Sequence, residues 1–441
     1  LNFGFSYVAS WGKKNPVKKS DPYKEVEFQD TFKRVNSRDN LFLYRSAMNK
    51  MRDNNLFLQS ANLDDDELTV SFTHAAYQSH IRAIGRVART LDQISPNTVK
   101  KFKLINTNAA LPLYEVEIDR DSFTKFQKDN LYKLAARKVE SRPSKHELIK
   151  QKYVPDLNFP VNFFSYAPVI RSQIGGPDGF FFGDVRLSFS NETLFRRNLN
   201  LVTTGSIGIA SSLQEITLAS NSIIEHVRTD IVKYLQESEK YHLKRVQFNY
   251  FKDISRNTYM KLSAGLFEEM FGGIGGEILY RPFTKNYGIG AELWRVRQRE
   301  YKMLFGFRDY ETTTGHINLY YTHPKSQVTV ALKGGRFLAE DSGINFDFSR
   351  RFKTGLRIGA FFTLTDISKE EFGEGSFDKG FYFTIPIDTF LTKYNKRNMG
   401  WGLRPLTRDG GAVLNHAYYL WGMTEAGTKS NLTRDWEHIY E

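Results

Sequence analysis

The sequence has 441 residues, no cysteine and a net charge of +13, and aromatic residues make up 15% of it. It contains no run of about 20 apolar residues, which excludes a membrane-spanning helix. The positive charge favours an acidic partner such as an anionic polysaccharide or the phosphates of lipopolysaccharide, although a plain basic surface is an equally good explanation. Without a long Lys/Arg run or an aromatic nucleic-acid module, nucleic acid is disfavoured.

Residues 1–37 are predicted to be a strand followed by a linker. Phe3, Phe5 and Tyr7 alternate with smaller residues, and a basic stretch with Pro16 follows. One strand cannot form a sheet by itself. Because the sequence begins at a leucine with no signal peptide, we expect this strand to be the end of an upstream region that is missing here.

Residues 38–150 are predicted to form a small α+β domain. Apolar residues recur at helical spacing near 43–51, 81–91 and 121–134, with strand-like alternation between them. The second helix has an arginine row on its opposite face, formed by Arg82, Arg86 and Arg89. We expect this row to be solvated, because long charged side chains are rarely buried. A contact with a polymer or a partner is the minor alternative.

From about residue 159 onward, apolar and polar side chains alternate in one short segment after another. Leu356, Ile358 and Ala360, for example, alternate with Arg357 and Gly359. A period of two indicates β-strands with one face in an apolar medium and the other in water. Residues 151–441 are therefore predicted to be mainly β, a transmembrane antiparallel β-barrel of about 14 strands, with a water-soluble β-sandwich as the alternative. The predicted strands are 159–171, 180–190, 198–209, 243–251, 257–267, 274–281, 286–296, 314–322, 327–335, 343–350, 354–365, 378–391, 415–424 and 432–441.

The connections alternate in length, as they do in outer-membrane barrels with short periplasmic turns and long outer loops. Lys252–Arg256 is short, for example, whereas Ala210–His242 is long. The connection Thr392–Leu414 is a long exception on the short-turn side. Residues 222–240 are predicted to form an amphipathic helix that plugs the barrel, covers its mouth or packs within its own loop.

No arrangement of residues in the sequence predicts a catalytic site, a metal site or a bound cofactor. The adjacent carboxylates Glu268 and Glu269 would point to opposite faces of a strand, which argues against an acid/base couple. The polar parity of the strands is more informative, because a charge that faces lipid costs several kcal/mol. The residues predicted to face the lumen and to contact a polymer are Arg186, Lys261, Glu292, Lys333, Asp347 and Arg357.

Several longer segments are specific, namely 83–89, 111–116, 275–282, 306–310, 372–380 and 404–411. They resemble the YjbH family of exopolysaccharide and capsule biosynthesis outer-membrane proteins. The resemblance implies a role in making or exporting an extracellular polysaccharide, with polysaccharide and outer-membrane lipid as expected contacts. It also implies a polysaccharide-export lipoprotein and periplasmic accessory proteins as partners. The loop lengths predict that the N-terminal α+β domain lies in the periplasm. Within the connection that we place in the periplasm, Arg404, Arg408 and Asp409 are candidate partner contacts.

Three functions follow as hypotheses. The first is a non-enzymatic outer-membrane barrel that assists the biosynthesis, export or surface anchoring of an exopolysaccharide. The second is a general or sugar-selective diffusion porin. The third is a polysaccharide-modifying enzyme.

Overall fold

In the computed structural model, the described residues are 21–128, 139–142, 152–174, 179–217, 220, 222–372, 376–405, 407–434 and 436–441. The strand predicted in residues 1–11 lies outside them. No helix among the described residues is both long enough and apolar enough to cross a bilayer.

The N-terminal part is a mixed five-stranded sheet covered by helices. Its strands are in sequence order, and β2 and β3 are parallel while all other neighbours are antiparallel. The strands are β1 (Leu56–Asp64), β2 (Glu67–His74), β3 (Lys101–Asn108), β4 (Leu111–Asp119) and β5 (Val139–Arg142). The helices are α1 (Gln29–Asn36), α2 (Asn40–Arg52), α3 (His80–Ile94) and α4 (Arg120–Lys128). The predicted helices and strands of this region form, and β1 and β5 are additional. The predicted last helix forms as far as Lys128, and the rest of it lies outside the described residues.

Helix α3 begins at a side-chain cap and ends just before a proline. The Ser79 hydroxyl accepts a hydrogen bond from the Arg82 backbone N–H at 3.3 Å, and Pro96 follows the last turn. Its apolar stripe, which includes Ile84 and Leu91, is fully buried. The helix thus forms where its sequence signals predict it.

We predicted that the arginine row of α3 is solvated, and this prediction is wrong. Arg82 pairs with the Glu441 carboxylate, and Arg89 donates to the Tyr440 carbonyl at 2.6 Å. Arg86 donates to the Glu441 carbonyl at 3.1 Å. The prediction fails because a distant segment supplies acceptors for these guanidinium groups, which sequence periodicity cannot reveal.

The C-terminal part is an antiparallel sheet of 13 strands in sequence order, with β6 and β18 at its edges. No pairing joins these two edges within the described residues. The strands are β6 (Val161–Ile174), β7 (Phe181–Arg196), β8 (Leu199–Ser211), β9 (Tyr241–Ser255), β10 (Thr258–Leu266), β11 (Phe271–Tyr280), β12 (Tyr287–Arg299), β13 (Phe307–Thr322), β14 (Val328–Arg336), β15 (Ser342–Arg351), β16 (Arg357–Thr365), β17 (Asp378–Pro386) and β18 (Asn398–Leu403). The predicted strands between residues 159 and 391 all form, with shifted ends.

The two faces of this sheet differ sharply in character. The outer face carries large apolar side chains that are open to the surroundings, such as Leu293 (63% exposed) and Ile317 (64% exposed). The inner face carries polar and charged side chains that are buried, such as Gln247, Lys261 and Glu292. This distribution is the reverse of a water-soluble β-sandwich, in which the apolar faces are hidden between the sheets.

The predictions of strands at 415–424 and 432–441 are wrong, because neither strand forms among the described residues. Residues 409–426, which we call the interior segment, run along the inner face of the sheet and contain the short helix α7 (Leu420–Met423). The alternation predicted strands here, but these residues pair with inner-face side chains instead of with a neighbouring strand. Before the interior segment, β18 forms inside the connection Thr392–Leu414, which was predicted to be one long loop.

After the interior segment, the chain leaves the sheet and packs on the N-terminal part. It forms helix α8 (Lys429–Thr433) and a final 3₁₀ turn (Trp436–Tyr440) that lies on α3. The predicted helix at 222–240 is shorter, α5 (Ile231–Glu237), and it packs within its own end of the sheet. One further short helix, α6 (Lys369–Phe372), precedes β17.

The two parts of the chain meet at one end of the 13-stranded sheet. Phe251, Tyr259 and Phe283 share a hydrophobic core with the N-terminal part. They lie beside the turns at Lys252–Arg256 and Pro282–Lys285, two of the short connections. We call this the short-turn end.

We predict that Gly85→Ala releases the final turn from α3. A Cβ at Gly85 would lie 1.6 Å from the backbone oxygen of Ile439, and backbone cannot move aside as a flexible side chain can. The free energy of unfolding should fall by about 1–3 kcal/mol, as for other overpacked sites. Amides of residues 436–441 should exchange hydrogen faster.

Gly422→Ala is the matched control, because no atom lies within 4 Å of the position of its Cβ. Equal exchange rates in the two variants would contradict the docking of this turn on α3.

Candidate functional site: the charged interior of the sheet

A row of ionisable side chains crosses the inner face of four neighbouring strands. Lys261 of β10 is opposite Glu277 of β11, Glu277 is opposite Glu292 of β12, and Glu292 is opposite His316 of β13. All four side chains are buried. Because directly opposed residues on a sheet project to the same face, the register alone brings these charges together.

Lys261 is the cation at one end of this row. Its ammonium lies 3.3 Å from a Glu277 carboxylate oxygen and donates to the carbonyls of Ala417 and Tyr418 at 3.2 and 2.8 Å. It also donates to Nδ1 of His416 at 2.9 Å. An ammonium has three donor hydrogens and no acceptor, so these contacts account for its whole hydrogen-bonding capacity.

Glu292 is the anion at the centre of the row. One of its carboxylate oxygens lies 2.8 Å from the Lys333 ammonium and 3.2 Å from Nδ1 of His316. The other accepts from the Trp294 indole N–H at 3.2 Å and lies 3.5 Å from Nε2 of His416. A buried carboxylate persists only with such partners, because burial without them costs several kcal/mol.

The interior segment completes the row from the other side. Since the Lys261 ammonium only donates, Nδ1 of His416 accepts, and its proton lies on Nε2, which faces Glu292. The backbone N–H of Leu420 donates to both Glu277 carboxylate oxygens at 3.1 Å. The His416 ring also stacks near Trp294 and Tyr419, with centroid distances of 4.5 and 4.1 Å.

A second charged cluster lies nearer the short-turn end. Glu425 of the interior segment binds Arg351 and Arg357 of the sheet, each at 2.8 Å. Arg281 donates to the Trp421 carbonyl at 2.6 Å, and its guanidinium lies 3.7 Å from the centroid of the Trp421 ring. Strands from β9 to β16 thus contact one segment, so the sheet curves around it.

Of the six predicted lumen-facing residues, the structure brings three into one cluster. Lys261, Glu292 and Lys333 belong to the charged row, and Arg357 belongs to the Glu425 cluster. The remaining two lie apart from these clusters. Asp347 accepts from the Tyr382 hydroxyl at 2.9 Å. Arg186 pairs with Asp184 at 2.6 Å. Contact with a polymer stays a prediction for all six residues.

The predicted placement of Arg404, Arg408 and Asp409 at the short-turn end is wrong. The chain returns through β18 to the opposite end, where Asp409 is buried and accepts from the backbone N–H groups of Arg228 and Thr229 at 2.7 and 2.9 Å. Asp409 therefore anchors a long loop. Arg404 lies 3.3 Å from Asp378, and partner contact by Arg404 and Arg408 stays a prediction.

Sequence reasoning missed Glu277, His316 and His416 of the charged row, and it missed Arg281, Arg351 and Glu425 of the second cluster. Glu277 and His316 lie on the polar parity of β11 and β13, so strand alternation could have found them. The roles of His416 and Glu425 depend on the path of the interior segment, for which the sequence gives no local signal. Glu277 and Glu292 form a carboxylate pair across two strands, but the interior segment lies directly on both.

We predict that Lys261→Met destabilises the protein strongly. Its side chain is 0% exposed, and its removal leaves the Glu277 carboxylate buried without its cation. The free energy of unfolding in detergent micelles, measured by urea titration, should fall by about 3–5 kcal/mol. Adding Glu277→Gln to that variant should restore part of the loss, because it removes the unpaired charge.

The matched control is Lys244→Met, whose ion pair with Glu269 is 46% exposed on the lysine side. It should cost at most about 1 kcal/mol. Similar losses for Lys244 and Lys261 would show that the charged row does not stabilise the interior.

Comparisons with known proteins identify the family. A family model described as "Exopolysaccharide biosynthesis protein YbjH" matches residues 1–426. The "Uncharacterized lipoprotein YjbH" of Escherichia coli (strain K12) is 30% identical over 377 residues, which are 81% of this chain and 52% of that protein. The chain thus spans about half the length of this curated relative.

Among solved structures, "Salmonella typhi OmpF complex with Daunomycin" matches with a TM-score of 0.30 and 11% identity, covering 58% of this chain and 93% of that chain. A TM-score this low supports no inference about fold or function. The sequence resemblance is confirmed by the family match: the chain belongs to the YjbH family of exopolysaccharide biosynthesis proteins.

Proposed function

We propose that the 13-stranded sheet is the wall of an outer-membrane β-barrel and that the protein assists the export or surface anchoring of an exopolysaccharide. Family membership supports the link to exopolysaccharide. The observation that carries the membrane location is the exposed apolar outer face of the sheet.

The outer face makes a location in water costly. Leu293, Ile317 and Ile274 are each more than 60% exposed on neighbouring strands. Burying one such side chain contributes about 1.5–3 kcal/mol, so a row of them favours hydrocarbon over water. Exposed apolar patches of this extent mark interaction or membrane surfaces. The name of the Escherichia coli relative, a lipoprotein, supports membrane association as well.

The charged inner face of the sheet supports the same proposal. In a transmembrane barrel the polar parity points into the interior, where charges escape the hydrocarbon. The interior segment provides partners for these charges. A general diffusion porin is disfavoured, because the interior segment occupies the space through which small solutes would pass. An enzyme is disfavoured too, because the paired carboxylates are covered.

We place the N-terminal part in the periplasm, because it packs at the short-turn end and barrels of this class have their short turns there. This position suits contacts with a polysaccharide-export lipoprotein and periplasmic accessory proteins, which we propose as partners. The net charge of +13 suits an acidic polymer or lipopolysaccharide.

A complementation experiment tests the proposal. Deleting the gene should reduce surface polysaccharide, and the wild-type full-length protein should restore it. Ile317→Arg should fail to restore it, because Ile317 lies on the outer face of β13 opposite Ala291, near the centre of the apolar stretch of β12 and β13. An arginine facing lipid at the midplane costs about 2–4 kcal/mol. Surface polysaccharide is measured by sugar analysis of washed cells, and barrel assembly by the protein content of the outer-membrane fraction.

Phe305→Arg is the matched control. Phe305 is 68% exposed in the connection after β12, so a charge there remains in water and should be tolerated. Normal surface polysaccharide in the deletion strain would reject the exopolysaccharide role. Full activity of Ile317→Arg would reject the membrane location.

A further inference from the structure

A cavity of about 200 Å³ lies where the N-terminal part meets the short-turn end of the sheet. Its walls come from β2, from the connection before β18, from the end of the interior segment and from α8. It lies beside the Glu425 cluster, so it adjoins the periplasmic end of the proposed barrel interior.

The charged side chains around this cavity are mostly positive. Arg351, Lys396 and Arg434 line it, and Glu425 is the one carboxylate of its lining. Arg351 is already paired with Glu425 at 2.8 Å. Lys396, in contrast, has no carboxylate partner in the part of the chain that the structure describes. The cavity therefore has unbalanced positive charge, which favours an anionic ligand.

Two histidines add uncharged polar groups to the same wall. His74 is 4% exposed, and its Nε2 lies 3.1 Å from Nδ1 of His80. Burial lowers the pKa of His74 well below its ordinary value and that of His80 to about 3, so both rings are neutral at pH 7. Nδ1 of His74 has no hydrogen-bond partner among the described residues and almost no accessible surface, so this nitrogen does not face the cavity.

The rest of the lining is suited to hydroxyl groups. Thr73, Gln78 and Asn398 contribute side chains that can both donate and accept hydrogen bonds. Alternating hydroxyls around a sugar ring need such partners, whereas a free inorganic anion needs mainly donors. The Gln78 amide N–H already donates to Asn398 Oδ1 at 3.2 Å, so the Gln78 carbonyl oxygen and the Asn398 amide N–H groups are the groups of this pair that suit a ligand. These amides and the Lys396 ammonium match a sugar that bears a carboxylate.

We propose that this cavity binds an acidic sugar residue, with its carboxylate at Lys396 and its hydroxyls at the polar side chains of the lining. The proposal rests on the proposed function, because the polymer would present such a residue to the periplasmic end of the barrel. It identifies the substrate class as a carboxylated polysaccharide.

Binding of a defined oligosaccharide to the purified protein in detergent tests this site. The probe is tetragalacturonate, measured by calorimetry, with maltotetraose as the neutral tetramer of equal length and inorganic phosphate as the free anion. We expect tetragalacturonate to bind and the other two not to bind. Lys396→Met should weaken its binding about tenfold, as expected for the loss of a charge-assisted contact.

Lys393→Met is the control, because it removes a lysine of the same connection that does not line the cavity. Equal binding of maltotetraose or phosphate, or equal effects of the two lysine variants, would overturn the proposal. If binding fails while the deletion strain still loses surface polysaccharide, the sugar site is rejected and the export role stands.

Discussion

The structure depends on the pairing of charges inside the 13-stranded sheet. Its inner face buries Lys261, Glu277 and Glu292, and charges without partners there would cost more than the fold of a domain can supply. Neighbouring strands provide part of the compensation through their register. The interior segment provides the rest, through His416, the Leu420 N–H group and Glu425. The same segment then continues to α3, so the charge pairing also joins the two parts of the chain.

This arrangement explains why the outer face can be apolar. A sheet of half-apolar strands must bury one face, and here the buried face is the polar one. The apolar face then needs an environment other than water, and in the proposed function a bilayer supplies it. The charged interior and the exposed apolar exterior are thus two consequences of the same strand alternation.

Much of the sheet could be predicted from the sequence, because strand alternation is a local signal. The parity of Leu356–Leu364 fixed which side chains of β16 share a face, and the same reasoning placed Lys261, Glu292 and Lys333 together. The interior segment could not be predicted, since its alternating residues imitate a strand while its partners lie far away in sequence. The prediction that the arginines of α3 are solvated failed for the same reason. Their acceptors, at residues 440 and 441, lie about 350 positions away in the sequence.

The most direct test of the account asks whether the outer face of the sheet contacts lipid. The sequence has no cysteine, so a single introduced thiol can be labelled without background. In protein reconstituted into liposomes, Ile317→Cys on the outer face should resist a water-soluble maleimide, while Phe305→Cys in the exposed connection should react. Equal labelling of the two positions would contradict the membrane-embedded sheet.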